Sequence, residues 1–471
     1  MKHRPIGYVI LLTLAALVWG RGSPLGAAEP RWPPKLEGAK AGTLSLKSNL
    51  FLKVPRRPAA TAKRPVATEE PGSYDVATVA PRVELTFHGE LGESAVARRL
   101  WSSWGDICVA GDGSVYVAIG DHGNAVGGDA RAFLYRWDPR AGQLEQIVDF
   151  NEIAPRKAGQ PAWSKVHAKI DEGADGKIYT SCTLNDGNRA RLPEYKWSAD
   201  FPGGQIYQFD PATGAASLFA SLPKGRCTAT SRLDRKRGVW WCNLEAGEGN
   251  AIWGLDMKTK RQVRRTADGS VSFNRAFALL ADGSLLFNGS AGLTHLDPGT
   301  GEQTARQGSF SDSPGMRCAT RESQDGMIYG ATYKTNQLFR YDTRRDEVEM
   351  LGPAWAARGY TTVMVLSPDE RFLYYLPGAH GQAWQFGTPV IQYNLANKRR
   401  KVLAFLAPAL EKAAGYVPGG TYGVKLSAAG DTLYVNFNGH ASDARRPAQM
   451  RPNGFGLCAF AAIHIPSAER E

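Results

Sequence analysis

A short phrase recurs seven times along the 471 residues of this chain: an apolar strand, a tight turn and an aromatic strand. The turns are Asp-Gly or similar pairs, and such pairs between alternating apolar residues are strong hairpin signals. The aromatic residues that follow the turns are Tyr116, Tyr179, Trp241, Phe287, Tyr329, Tyr374 and Tyr434. The chain is therefore restricted to folds that are built from copies of one β unit.

A second apolar phrase, which ends in Asp or Asn, follows each of the first six turns. It occupies residues 134–139, 206–211, 252–256, 293–298, 338–342 and 390–394, with a degenerate seventh copy at 462–466. Two hairpins per unit make a four-stranded sheet. Residues 83–471 are therefore predicted to form one all-β domain, a seven-bladed β-propeller of four-stranded antiparallel blades.

The N-terminus has the features of an export signal. Lys2 and Arg4 precede an apolar run that begins at Ile6, and small residues at 26–28 suit cleavage. Residues 1–28 are predicted to be a signal peptide, which leaves no transmembrane span in the mature chain; a retained anchor is the alternative. We expect a secreted or periplasmic protein, in which residues 29–82 are a basic, Pro-rich linker that is mostly disordered.

The net charge of +12 arises largely ahead of residue 83. The mild basic excess of the repeats favours an anionic partner and does not suggest nucleic acid. There is no P-loop, dinucleotide fingerprint or nucleophile elbow. A monomer that binds an anionic polysaccharide or another extracytoplasmic ligand is the prediction.

Six cysteines in an exported chain permit disulfide bonds. Cys227 and Cys242 lie symmetrically about a predicted turn at 233–237, so we predict that they face each other on paired strands and form a disulfide. The other four are expected to be buried thiols. No spacing typical of haem, redox or structural zinc sites is present.

The inner strand of each propeller blade lines a central channel, so its first residues should converge at one mouth. Counting back twelve residues from each aromatic landmark reaches that mouth in every blade. The count gives Trp104, His167, Ala229, Arg275, Arg317, Thr362 and Tyr422. Arg226 joins this ring if the register of the third blade slips. Loops after the second strands add His122, Tyr195, His380 and His440 to the same face.

Three chemistries fit these residues, and the sequence leaves all three open. In the first, Arg275 and Arg317 neutralise a uronate carboxylate while His122, His167 and Tyr422 supply the acid and base of a β-elimination. In the second, a divalent metal bound by the histidines at 122, 167, 380 and 440 neutralises the carboxylate. In the third the face only binds a glycan or protein, with Trp104 and Tyr195 as stacking platforms beside the cations.

The repeat phrases resemble extracytoplasmic seven-bladed propellers of the YVTN and lactonase-like kinds. Among enzymes, the pattern is architecturally similar to the propeller polysaccharide lyases of the ulvan and oligogalacturonate types. Those lyases use histidine and tyrosine with arginine, or a manganese site of histidines and a glutamine. The resemblance implies a lyase that acts on acidic polysaccharide, and a non-catalytic binding propeller is the alternative. No residue role is transferred by motif.

Two further elements are predicted at the ends of the repeat. Residues 83–87 alternate like a strand and are expected to pair with residues 460–465, which would join the two ends of the chain and remove an exposed sheet edge. Residues 407–414 are predicted to form a helix between the sixth and seventh units.

Overall fold

The structure is a computed structural model that describes most of the repeat region and part of the segment before it. The described residues are 40, 42–55, 73–88, 101–105, 107–121, 130–156, 162–183, 200–245, 249–306, 310, 315–355, 361–379, 383–442 and 456–471. The predicted signal peptide and the residues His122, Tyr195 and His380 lie outside them. Within these ranges, no helix is both long enough and apolar enough to cross a membrane.

The strands form seven separate sheets, and in each sheet the four strands of the predicted blade are antiparallel. Three strands precede the first repeat: β1 (Thr43–Lys47), β2 (Asp75–Val76) and β3 (Arg82–Phe87). Blade 1 contains β4 (Trp101–Ser102), β5 (Cys108–Val109), β6 (Val115–Asp121), β7 (Ala132–Asp138) and β8 (Gln143–Asp149). Blade 2 contains β9 (Lys165–Val166), β10 (Asp171–Glu172), β11 (Ile178–Thr183), β12 (Gln205–Phe209) and β13 (Ala216–Ser221).

The third, fourth and fifth blades are regular four-stranded meanders. Blade 3 contains β14 (Cys227–Asp234), β15 (Val239–Glu245), β16 (Ala251–Asp256) and β17 (Gln262–Arg265). Blade 4 contains β18 (Val271–Leu279), β19 (Leu285–Gly289), β20 (Gly292–Leu296) and β21 (Gln303–Ala305). Blade 5 contains β22 (Met316–Ala319), β23 (Met327–Thr332), β24 (Gln337–Asp342) and β25 (Glu347–Pro353).

The last two blades each include strands from the N-terminal segment. Blade 6 contains β26 (Met364–Leu366), β27 (Phe372–Tyr375), β28 (Pro389–Asn394) and β29 (Arg400–Phe405), with β2 parallel to β29 at its outer edge. Blade 7 contains β30 (Tyr416–Leu426), β31 (Thr432–Ala441) and β32 (Leu457–His464), followed outward by β3 and β1. The longest helix of the described residues is Leu406–Ala414, which confirms the predicted helix between the sixth and seventh units. The described residues also form four short helices: Asn49–Leu52, Phe150–Ile153, Ala383–Phe386 and Ser467–Glu469.

The ring closes by pairing the two ends of the chain. Strand β3 is antiparallel to β32, with Arg82 opposite His464 and Phe87 opposite Ala459, which confirms the predicted closure. The imidazole of His464 and the Glu84 carboxylate lie 3.0 Å apart across the same two strands. Residues 43–47 pair in turn with β3, so ordered structure begins ahead of the predicted boundary at residue 83. The alternation of Leu44 and Leu46, which pack on the core of blade 7, explains this difference.

A carboxylate near the C-terminus fastens the N-terminal segment to the ring. Glu469 is 2% exposed, and its Oε1 accepts hydrogen bonds from the Thr78 amide at 2.6 Å, the Thr78 hydroxyl at 2.9 Å and the Val79 amide at 3.0 Å. Lys401 Nζ lies 2.8 Å from its Oε2. Burial raises the pKa of the Glu469 carboxyl, but the Lys401, Val79 and Thr78 donors outweigh burial and lower the pKa to about 2. We call these contacts the Glu469 latch.

The blades are joined by apolar packing and by asparagine side chains. The seven aromatic landmarks are all buried between neighbouring sheets. At five of the joins an asparagine hydrogen-bonds to backbone where the next blade begins: Asn151 to Trp163, Asn243 to Asn274, Asn288 to Met316, Asn336 to Thr361 and Asn438 to Ser103. A primary amide can replace a missing strand neighbour because it has both a donor and an acceptor.

The predicted disulfide is wrong. The hairpin of blade 3 places Cys242 opposite Ser231 and Cys227 opposite Glu245, and the two buried thiols are not joined. The turn lies about two residues later than the sequence suggested, because Asp234 accepts hydrogen bonds from the backbone amides of Gly238 and Arg237 and so closes the turn there.

Candidate functional site

A cavity of about 270 Å³ opens at the channel mouth where the inner strands begin. All seven residues obtained by counting back twelve positions line it: Trp104, His167, Ala229, Arg275, Arg317, Thr362 and Tyr422. The other lining residues are Lys165, Lys169, Thr230, Phe273 and Tyr333. The convergence that the repeat pattern predicted is therefore confirmed, with every blade contributing one counted residue.

The backbone of the inner strands explains why one offset works in six of the seven blades. Pairing is interrupted between Thr228 and Thr230, between Met316 and Cys318, and between Thr421 and Gly423. The counted residue is the unpaired one in each case. In blade 4 a similar irregularity lies between Phe273 and Phe277, and in blades 1 and 2 the inner strand is split around Trp104 and His167. A bulge turns an extra side chain away from the ladder, and here it turns that side chain into the channel.

The cavity is strongly cationic. Lys165, Lys169, Arg275 and Arg317 line it, and none of the described lining residues is acidic. Glu245 pairs with one of these cations, with its Oε2 3.5 Å from Arg275 Nη1, and is not among the lining residues. Arg317 is buried, so its charge acts in surroundings that screen it poorly. The site is therefore suited to an anionic ligand.

His167 lies at the centre of this charge. Its Nδ1 is 2.7 Å from the carbonyl oxygen of Ala229, and Arg275 Nη1 lies 3.1 Å from its Nε2. A proton on Nδ1 would donate to Ala229 and leave Nε2 to accept from Arg275. Burial, followed by the charges of Lys165 and Arg275, holds the pKa of His167 well below its usual value, against the opposing effect of the Ala229 carbonyl. The imidazole is thus neutral at pH 7 and has a basic nitrogen directed at the arginine.

Two aromatic pairs flank the cations. The rings of Trp104 and Tyr422 are 4.7 Å apart, with Lys165 Nζ 4.7 Å above the indole and the Arg317 guanidinium 5.7 Å from the phenol ring. Across the cavity, Phe273 and Tyr333 are also 4.7 Å apart. Aromatic faces next to cations are the surfaces on which sugar rings stack while their acidic groups are neutralised.

Two further candidates that the structure describes, Arg226 and His440, do not line the cavity. Arg226 was predicted to join the ring, but it is buried against the next blade, where Nη1 lies 3.0 Å from Asp268 Oδ1 and Nη2 bonds the Gly249 carbonyl. His440 is buried on β31 with its ring 6.0 Å from that of Trp384. In the part of the chain that the structure describes, no three His, Cys, Asp or Glu side chains are grouped as a metal site requires. Two of the four proposed metal ligands, His122 and His380, fall outside that part.

Five lining residues escaped the sequence analysis, and one of them, Thr230, directly follows the counted residue Ala229. Lys165 and Lys169 stand two residues before and after His167, and Phe273 stands two residues before Arg275. Alternate residues of an extended segment share a face, so the counted residue could have identified these three neighbours. Tyr333 follows β23 and had no such signal.

A second cavity lies at the opposite end of the channel. It measures about 630 Å³ and is lined by residues where the inner strands end, among them Asp171, Arg232, Leu279, Leu366 and Lys425. It shares no lining residue with the first cavity, and its lining is a mixture of aliphatic, cationic and acidic groups. The concentration of cations and aromatic rings is thus a property of the first mouth.

Comparison with solved structures agrees on the fold. A chain of the "Crystal Structure of Mitotic Checkpoint Complex" matches with a TM-score of 0.50 at 12% identity, over 87% of this chain and 99% of that one. The "Structure of U3-55K" matches with a TM-score of 0.45 at 11% identity, over 77% of this chain and 95% of that one. The C-terminal WD40 domain of Sif2 matches with a TM-score of 0.44 at 11% identity, over 77% of this chain and 81% of that one.

The chain is similar to these proteins in architecture alone, since identities this low carry no function. No protein-family profile matches the sequence, and no curated protein matches it significantly. The chemistry of the cavity is therefore the basis for a functional assignment.

Proposed function

We propose that the first cavity binds an acidic saccharide. The observation that carries the proposal is the combination of four cations and two aromatic pairs around one opening whose described lining has no carboxylate. The guanidinium groups of Arg275 and Arg317 suit a carboxylate because their forks can bind both oxygens. Trp104 and Phe273 offer faces for the sugar rings, so charge and stacking support the same ligand class.

Calorimetric titration of the purified protein with oligo-uronates and with uncharged oligosaccharides of equal length tests this proposal. We expect saturable binding of the acidic ligands only. Replacement of Arg317 by Gln should weaken that binding by roughly tenfold to a hundredfold, the effect of losing a charge-assisted bidentate contact. The matched control is Arg340→Gln in the same blade, where the arginine is exposed and pairs with Glu349. Equal affinities for charged and uncharged saccharides would reject the proposal.

A second candidate function, β-elimination of the bound uronate, is favoured by the neutral His167 beside Arg275. A carboxylate held by the arginines makes the neighbouring C5 proton more acidic, and His167 Nε2 can take that proton once Arg275 engages the carboxylate. The C4–O bond then breaks as the C4–C5 double bond forms. The hydroxyl of Tyr422, on the other side of Trp104, is the candidate donor to the leaving oxygen.

The unsaturated uronate that elimination forms absorbs ultraviolet light, so product can be followed directly with every ligand that binds. His167→Ala should abolish the absorbance change without altering the melting temperature. If bound uronates give no absorbance change with the unmodified protein, the site is a binding site without this reaction. The same proposal includes export of the protein, because acidic polysaccharides lie outside the cell. Export by the predicted signal peptide would leave a mature N-terminus directly after residue 28.

A further inference from the structure

The cations of the first cavity lie at different depths. Val166, Ala168 and Ile170 are at most 2% exposed and belong to the apolar core, whereas Lys165, His167 and Lys169 line the cavity. This alternation means that the backbone is extended, so successive channel-facing residues are separated by roughly 6.6 Å along it. The segment continues to Asp171, which lines the opposite cavity. Lys169 is therefore the deepest of the three groups.

The arginines and the rings of Trp104 and Tyr422 lie at the middle depth, with His167. Arg275 Nη1 is 2.8 Å from His167 Nδ1, and the Trp104 ring is 5.9 Å from the imidazole. The Tyr422 ring contacts Trp104, and the Arg317 guanidinium lies over the Tyr422 ring, so both residues are at the same depth. A carboxylate bound by the arginines consequently has another cation, Lys169, beyond it on the channel axis. The site has room for two anionic groups in line.

The walls restrict how a long ligand can approach. Residues from all seven blades surround the opening. A volume of about 270 Å³ lies just below the usual range for ligand pockets, roughly 300–1,000 Å³, and is enough for one or two sugar rings. An internal stretch of a polysaccharide would have to leave through a blade on each side, whereas a chain end needs only the open mouth.

We propose that the cavity takes the end of an acidic saccharide chain, with one anionic group at the arginines and the terminal one at Lys169. The inference deepens the proposed function and rests on it. It distinguishes this site from a surface groove, in which affinity and the number of bound proteins grow with chain length. It also assigns to Lys169 the selection of ligands that carry two neighbouring acidic residues.

Calorimetric titration with oligogalacturonates from the monomer to the hexamer tests the inference. The dimer should bind about tenfold more tightly than the monomer, the gain from a second partly buried ion pair. Affinity should then level off, and the hexamer should bind one protein per chain. Lys169→Gln should remove the advantage of the dimer over the monomer when both are titrated into the same variant. The control Lys425→Gln changes an inner-strand lysine at the opposite mouth and should have no effect.

The outcomes separate the two proposals. Absence of binding at every length overturns the proposed function and this inference with it. Binding that keeps strengthening to the hexamer, or several proteins on one hexamer, overturns the inference alone and leaves acidic-saccharide binding in place. A Lys169→Gln protein that retains the advantage of the dimer has the same meaning. Should that variant fail to fold, the length series on the unmodified protein still decides the question.

Discussion

The Glu469 latch allows a quantitative prediction of stability. Replacement of Glu469 by Gln keeps an oxygen that can accept from the Thr78 and Val79 amides but removes the charge that Lys401 pairs with. Hydrogen bonds to a charged group contribute roughly 1.5–3 kcal/mol, and breaking a buried pair costs up to ~5 kcal/mol. Since Lys401 is 31% exposed, the lower part of that range applies, and we expect a loss of about 3 kcal/mol.

Thermal unfolding followed by circular dichroism measures this loss. The entropy of unfolding of about 390 residues is roughly 0.8 kcal/mol per degree, so 3 kcal/mol corresponds to a fall of about 4 °C in Tm. The control is Glu349→Gln, where the carboxylate is 37% exposed and pairs with Lys398 and Arg340 on the rim of the ring. Two exposed pairs together contribute less than about 2 kcal/mol, so the control should change Tm by about 2 °C at most.

The pH dependence of the same variant provides an independent check. The pKa of Glu469 is about 2 in the folded protein, whereas the ordinary value for a glutamate, 4.5, applies in the unfolded chain. The unfolded chain therefore binds the proton more tightly. The stabilisation is therefore fully present above about pH 5 and is lost as the pH falls from 4.5 towards 2. The difference in Tm between the unmodified protein and Glu469→Gln should shrink over this interval. A difference equal to that of the control, or one that persists at pH 2, would refute the latch.

Three further predictions concern the site and the ring. Affinity for oligo-uronates should increase as the pH falls from 7.5 to 5, because a bound anion favours protonation of His167. Calorimetric titrations in buffers of different ionisation enthalpy should detect the proton taken up on binding, and His167→Gln should abolish this proton uptake. Asn438→Ala leaves the backbone of Ser103 without its side-chain partner, so it should cost about 2 kcal/mol, a fall of 2–3 °C in Tm, whereas the exposed Asn397→Ala should cost nothing measurable. Deletion of residues 1–55 removes β1 and the fully buried Phe51 and should lower Tm by several degrees, whereas deletion of residues 1–39 should not; equal melting temperatures would show that β1 is dispensable.

The sequence predicted the fold and the position of the site because both depend on the repeat. Seven aromatic landmarks define seven blades, and one offset reaches an irregularity of the inner strand in six different local sequences around Trp104, His167, Ala229, Arg275, Arg317 and Tyr422. Features without a repeat were not accessible. The arrangement of Arg226 against Asp268 depends on a contact between blades, and the failure of the Cys227–Cys242 pairing depends on a turn displaced by two residues. The strand Thr43–Lys47 is short and set among prolines, so its pairing with β3 could not be read from its composition.

The closing sheet also sets an order of events during synthesis. Strand β3 is synthesised long before its partner β32, since 380 residues separate Glu84 from His464. The first six blades can assemble from neighbouring hairpins as they emerge, whereas the seventh has to wait for the end of the chain. Until then β3 has only β1 beside it, and its other edge is open to wrong partners. We expect chain completion to control the yield of native protein, so that chains truncated before Leu457 accumulate as open arcs.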